Sequence, residues 1–99
     1  MAIYLTEIPK TNRSPILDPI PDQKVRNEHR WSFQLKATDP DGDPLSFSLR
    51  ESPWGMAVNP KSGRMTWEVP GDKRTYSVLV RVTDSEGAFA ERRFRIRVD

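Results

Sequence analysis

The sequence contains no cysteine among its 99 residues. Without thiols the chain can form neither disulfides nor zinc–thiolate or iron–sulfur centres. A chain of this length supports one domain, and it can bury roughly two-thirds of its unfolded surface around a single hydrophobic core. We therefore expect packing and backbone hydrogen bonding, rather than cross-links, to hold the fold together.

Long apolar runs and a strong excess of one charge are also missing. No stretch reaches the roughly 20 apolar residues that span a membrane, and the first residues lack the basic and apolar regions of a secretion signal. The 16 basic and 14 acidic residues leave a net charge of +2, which is too small a bias to indicate nucleic-acid binding. With one histidine and no cysteine, we expect a non-catalytic protein.

Apolar and polar residues alternate with a period of two, which is typical of half-buried β-strands. Each alternating set forms an apolar stripe that only a facing sheet can cover, as in a β-sandwich. The predicted inward-facing sets are Trp31, Phe33, Leu35 and Ala37; Leu45, Phe47 and Leu49; Met65, Trp67 and Val69; Tyr76, Val78, Val80 and Val82; and Phe94, Ile96 and Val98.

Turn-forming residues separate these sets at the spacing of short antiparallel strands. Three prolines restrict residues 15–25 to an irregular edge strand, because proline cannot donate a hydrogen bond to a sheet. We predict an all-β, seven-stranded Greek-key β-sandwich in residues 15–99, preceded by a linker or N-terminal tail in residues 1–14. The predicted turns lie at 39–44, 59–63, 70–72 and 84–87.

Three segments, in order, carry a family resemblance: ATDPDGDPLSFSL, PWGMAVNPKSGRMTWEVP and YSVLVRVTDSEGAFAERRFRIRV. From about Asn12 to Val98 the chain resembles the cadherin-like repeats of large bacterial surface proteins, which include immunoglobulin-like and dystroglycan-type cadherin-like domains. The resemblance implies a cadherin- or immunoglobulin-like sandwich, usually repeated in tandem as an adhesion module or spacer. It also implies that calcium stiffens the joint between some repeats.

Asp39, Asp41 and Asp43 place three carboxylates within five residues of one turn. Their mutual repulsion must be relieved by solvent, a basic residue or a cation. Oxygen ligands at irregular spacing suit calcium, although Asp, Pro and Gly are also simply good loop formers. An EF-hand is excluded because Pro44 stands where that loop needs glycine and Arg50 stands where it needs glutamate.

In cadherins, an Asp-x-Asp pair in this loop, an Asp near the end of the sixth strand and an Asn in the linker converge at the joint between repeats. The resemblance implies that Asp39 and Asp41, Asp84, and Asn12 take these positions here. The acidic residues that flank the linker in cadherins are missing from this sequence. We predict a calcium site formed by Asn12, Asp39, Asp41, Asp43 and Asp84, with further ligands from a preceding repeat.

The tryptophans differ in their surroundings. Trp31 and Trp67 fall at inward-facing positions of the alternating pattern, so we expect both in the core. Trp54 lies in the irregular segment Ser-Pro-Trp-Gly, outside any alternating set. Its side chain could stack on a sugar ring or fold over the end of the sandwich as a lid. We favour the lid, because irregular segments of small domains commonly cap the core.

Arg93, Arg95 and Arg97 share the outward face of the last predicted strand. Such a stripe could bind a sulfated glycan, an acidic polymer or nucleic acid. No aromatic residues are interleaved with it, which argues against single-stranded nucleic acid. We favour a structural role, in which the charges prevent sheets from aggregating and pair with acidic side chains.

The functional prediction is a non-catalytic structural or adhesion repeat of a larger extracellular or cell-surface protein. Its expected partners are neighbouring repeats or another surface protein, and calcium is its expected cofactor. One alternative is an accessory module of a secreted enzyme that binds polysaccharide or protein, with Trp54, Tyr76, Phe89 and the arginine stripe as its contacts. Another is a small self-assembling phage or filament component. We expect neither nucleic-acid binding nor membrane insertion.

Overall fold

The computed structural model describes residues 12–99, and within that range the chain forms nine strands and no helix. A helix able to cross a membrane is accordingly not found in those residues. The strands are β1 (Ile16–Leu17), β2 (Gln23–Val25), β3 (Arg30–Gln34), β4 (Ala37–Thr38), β5 (Leu45–Glu51), β6 (Ala57–Val58), β7 (Arg64–Glu68), β8 (Thr75–Asp84) and β9 (Phe89–Val98).

The strands form two main sheets and one short pair. The larger sheet has the order β2-β9-β8-β5, the second has the order β3-β7-β6, and β1 pairs with β4. All pairs are antiparallel except β2 with β9, which run parallel. This arrangement confirms the predicted all-β sandwich.

The predicted count of seven strands is wrong, because two of the predicted strands are each interrupted. The proline-rich segment divides into β1 and β2, which pair with different sheets. The strand after His29 divides at Leu35, whose amide bonds to the carbonyl of Gly63, while the carbonyl of Lys36 accepts from Asp18. The chain therefore changes its hydrogen-bonding partner from β7 to β1 at this point.

The core lies between the two main sheets and is built mainly from the predicted inward-facing sets, to which Leu17, Ile20 and Met56 are added. Trp67 is 2% exposed, and its ring meets that of Tyr76 edge-on, with 5.2 Å between the ring centres. The parity of the strands thus identified the core faces correctly. The largest fully buried side chains are Trp67, Phe94, Leu17, Met65, Ile96, Val78, Val80, Val82 and Val98.

Candidate metal site

The acidic turn lies between the end of β4 and the start of β5. The backbone amide of Asp41 donates to Oδ1 of Asp39 at 2.7 Å, which folds the loop back on itself. Carboxylate oxygens of Asp39, Asp41 and Asp43 lie within 4.8 Å of one another, and all three residues are half-buried. The structure therefore brings together the three carboxylates that the sequence placed in one turn.

Arg13 contacts this cluster from the N-terminal segment. Its guanidinium Nη2 lies 2.8 Å from Oδ1 of Asp41 and also donates to the carbonyl of Pro40. Its backbone amide donates to Oδ2 of Asp41 at 2.8 Å. The Asp41 side chain is only 3% exposed, so this cation relieves part of the repulsion within the cluster.

Asp39 retains a buried oxygen that no residue in the described part of the chain satisfies. Its Oδ1 accepts from Asp41, but its Oδ2 is buried and has no hydrogen-bond partner among residues 12–99. A buried carboxylate oxygen without a donor is costly, because it has lost water and gained nothing in exchange. A cation next to Asp39 would remove that cost.

Asp84 is the last residue of β8, is 5% exposed and pairs across the sheet with Leu45. Its Oδ1 accepts from the amides of Glu86 and Ala88 in the turn that leads to β9, each at 2.9 Å. Its Oδ2 accepts from Nδ2 of Asn12, also at 2.9 Å. Desolvation opposes ionisation of Asp84, but these hydrogen bonds outweigh it and lower its pKa below the usual 3.8.

The five predicted ligands fall into two adjoining groups at one end of the sandwich. Asp84 lies outside the group of three carboxylates and instead binds Asn12. The consecutive residues Asn12 and Arg13 join the two groups, since one bonds to Asp84 and the other to Asp41. Sequence reasoning missed Arg13, which neither strand parity nor the motif match indicated. Residues 1–11 of the predicted linker lie outside the described residues.

The lowered pKa of Asp84 predicts a specific acid sensitivity. Its charged form stabilises the fold fully above the ordinary carboxyl pKa of 3.8, and that contribution is lost as the pH falls below 3.8 through the lower folded value. Melting temperatures measured from about pH 6 to about pH 2 should fall more steeply for the wild type than for Asp84→Asn. Parallel curves would show that Asp84 has no such role, and Asp72→Asn, in an exposed loop, is the control.

Two of the three arginines in the stripe, Arg93 and Arg97, pair with acidic side chains. Arg93 binds Glu51 through Nη1 at 2.7 Å and lowers the pKa of that carboxyl through a hydrogen bond and its charge. Arg97 lies 3.0 Å from Asp99, and the backbone amide of Arg95 donates to Asp22. These contacts favour the structural interpretation of the stripe over a ligand-binding one.

The lid predicted for Trp54 is wrong, because its side chain is 96% exposed. The carbonyl of Trp54, rather than its ring, contacts the core, by accepting a hydrogen bond from Nε1 of Trp67 at 3.2 Å. Met56, two residues further along, is buried in the core instead, at 9% exposed. Trp31 and Trp67 lie in the core as predicted.

Comparison with known proteins assigns this architecture to a family. The family model described as "Putative Ig domain" matches residues 14–99. The chain belongs to this family. The immunoglobulin-like domain also matches the integrin beta-like protein A of Dictyostelium discoideum, with 26% identity over 89 residues that cover 85% of this chain and 5% of that protein. The chain thus spans about a twentieth of the curated relative it matches.

Solved structures share the fold of this immunoglobulin-like domain. Cadherin repeats 1–4 of Drosophila N-cadherin superpose with a TM-score of 0.76 at 18% identity, over 89% of this chain and 25% of that one. A nucleoside hydrolase-related protein of Saccharophagus degradans, associated with carbohydrate metabolism, superposes with a TM-score of 0.68 at 19% identity, over 89% of this chain and 26% of that one. These matches confirm the predicted cadherin- and immunoglobulin-like fold class.

Proposed function

We propose that this immunoglobulin-like domain is a non-catalytic structural or adhesion repeat of a larger extracellular protein, and that calcium stiffens its acidic end. Family membership and the cadherin-like fold support the repeat, since domains of this kind are typically extracellular adhesion-type modules. The partners would be neighbouring repeats of the same chain or another surface protein. The observation that carries the calcium proposal is the buried Oδ2 of Asp39 within the carboxylate cluster, which has no hydrogen-bond partner among residues 12–99.

The donor set fits calcium better than other metals. Asp39, Asp41 and Asp43 offer oxygen atoms only, and hard oxygen ligands in flexible geometry are what calcium takes. Zinc and copper favour imidazole or thiolate ligands, which this cluster does not offer. Magnesium requires a more regular octahedron and keeps more of its water.

The ligand count indicates weak binding by the single domain. Calcium takes six to eight oxygens, and three carboxylates supply part of that number unless water or a preceding repeat adds more. Asp84 and Asn12 lie beside the cluster and bond to each other. They would orient the N-terminal segment rather than complete the coordination shell of the calcium ion. We expect a dissociation constant on the order of 10⁻⁴–10⁻³ M, as in other extracellular modules.

Thermal melts with calcium and with EDTA test the proposal. At a calcium concentration of about ten times the dissociation constant, the folded state gains about 1.4 kcal/mol, which raises the melting temperature by several degrees. Asp39→Asn keeps the Oδ1 that accepts from Asp41 but loses the charge, so it should abolish the rise. The matched control Asp72→Asn should retain it. Equal melts of the wild type with and without calcium would contradict calcium binding by this domain.

A variant of Arg13 provides a second test of the calcium proposal, because the Arg13 guanidinium forms an ion pair with one of the proposed ligands, Asp41. A cation bound to the cluster would be repelled by that positive charge or would have to displace it. Arg13→Gln should therefore tighten calcium binding by roughly three- to tenfold, although it removes an ion pair. Weaker calcium binding by this variant would show that Arg13 supports the site instead of competing with it.

A further inference from the structure

Trp54 is the most exposed large apolar side chain in the described part of the chain, at 96%. The two other exposed large apolar residues in that part are Ile16 at 53% and Phe89 at 46%. The Phe89 ring is partly covered, since the guanidinium of Arg81 lies 3.8 Å from its centre. Folding gives no reason for an indole to stand in water, since its burial would have been favourable. Exposed aromatic rings of this kind are characteristic of recognition surfaces.

The backbone that carries Trp54 is held firmly to the core. Pro53 to Met56 form a tight turn in which the amide of Met56 donates to the carbonyl of Pro53 at 3.2 Å. Gly55, the third residue of the turn, has a φ of 87°, as a type II turn requires. The buried indole of Trp67 donates to the carbonyl of Trp54, and Met56 is itself buried. The ring is thus presented from a fixed backbone, which lowers the entropic cost of binding.

A small polar groove begins at this turn. It has a volume of about 230 Å³ and is lined by Arg30, Gly55, Thr66, Trp67 and Glu68. Arg30 and Glu68 form an ion pair of 2.6 Å in which both side chains are about three-quarters exposed. Such an exposed pair contributes little to stability, so its donors and acceptors remain available to a ligand. The groove carries no net charge.

The position of Trp54 argues against a protein partner. β5 begins at Leu45, which pairs with Asp84 at the acidic end of the sandwich. It ends at Glu51, so the turn that carries Trp54 lies at the opposite end, away from the acidic cluster. Ile16 and Phe89 pair with Thr38 and Thr83 near the acidic end. Trp54 therefore stands alone among polar groups, whereas a protein interface needs a larger desolvated apolar centre.

We propose that Trp54 and the adjoining groove bind a neutral polysaccharide, with one pyranose ring stacked on the indole. The C–H bonds on one face of a pyranose carry partial positive charge and face the negative π-surface of the ring. Hydroxyl groups of the sugar exchange hydrogen bonds with Arg30, Glu68 and Thr66. Pockets for drug-sized ligands have volumes of roughly 300–1,000 Å³. This smaller groove is suited to a single sugar ring, with the rest of the polysaccharide extending beyond it.

Affinity electrophoresis of the whole chain tests this proposal, using native gels that contain xyloglucan, galactomannan, mixed-linkage β-glucan or pullulan. The gels contain EDTA, so the outcome is independent of the calcium site. At least one polysaccharide should retard the wild type, and Trp54→Ala should weaken that binding by about tenfold or more. Trp54→Tyr should bind in between, and Phe89→Ala should behave as the wild type.

Three results would overturn the polysaccharide site. These are no retardation by any of the four polymers, equal retardation of the wild type and Trp54→Ala, or self-association in sedimentation that Trp54→Ala abolishes. The last result would identify a second copy of this chain as the occupant. Because the Trp54 side chain contributes almost nothing to the core, Trp54→Ala should melt at the wild-type temperature, which ensures that lost binding is not lost folding.

Discussion

Trp67→Ala should lower the free energy of unfolding by about 3–5 kcal/mol. The indole is 2% exposed at the centre of the second sheet, and truncation leaves a cavity that its neighbours can only partly fill. The substitution also removes the donor to the carbonyl of Trp54 and the edge-on contact with Tyr76. Since a domain of this size is stable by roughly 5–15 kcal/mol, the loss is a large fraction of the total.

Chemical denaturation followed by far-ultraviolet circular dichroism measures this effect. Arg95→Ala, on the outward face of β9, is the matched control and should change the free energy of unfolding by less than about 0.5 kcal/mol. Comparable small losses in both variants would mean that the inward and outward faces of the strands had been inverted.

Gly63→Ala should also destabilise the domain, by about 2–5 kcal/mol. Gly63 has a φ of 75°, which costs a residue with a Cβ roughly 1–2 kcal/mol. An added Cβ would also lie 2.9 Å from Cε2 and Cζ of Phe47, a buried ring that cannot easily move. The overpacking adds roughly 1–3 kcal/mol.

Gly87→Ala separates the two causes of that loss. Gly87 has a φ of 91°, and an added Cβ there would meet no atom within 4 Å. The control should therefore lose only the roughly 1–2 kcal/mol of backbone strain. Equal losses at Gly63 and Gly87, measured by the same denaturation, would show that Phe47 accommodates the added methyl group.

The core was predictable from sequence because the period of two reflects the same geometry that buries every second side chain. The predicted sets on β7, β8 and β9 lie inward, as in Met65 and Val80, which are both fully buried. The interruption at Leu35 was not predictable. It depends on the point at which the chain stops bonding to β7 and begins bonding to β1. Tertiary hydrogen bonds set that point, rather than the local sequence pattern.

The candidate site was predictable in part. The spacing of Asp39, Asp41 and Asp43 within one turn was sufficient to bring their carboxylates together. The contact of Arg13 with Asp41 spans 28 positions along the chain, so only the folded structure reveals it. The lid prediction for Trp54 rests on the tendency of irregular segments to cap the core, and no local feature of the sequence distinguishes a capping indole from an exposed one. In the structure Met56, two residues further along, is buried while Trp54 is 96% exposed.

The most direct test of the calcium site is a titration of the ¹⁵N-labelled domain followed by amide chemical shifts. Calcium should shift the amides of Asp39, Asp41, Gly42 and Asp43 and those of the neighbouring Arg13 and Asp84. The dissociation constant should be on the order of 10⁻⁴–10⁻³ M. Magnesium at the same concentration should cause much smaller shifts, and Asp39→Asn should lose the response. If millimolar calcium leaves these amides unchanged, or shifts amides scattered over the whole surface, the acidic cluster is not a calcium site.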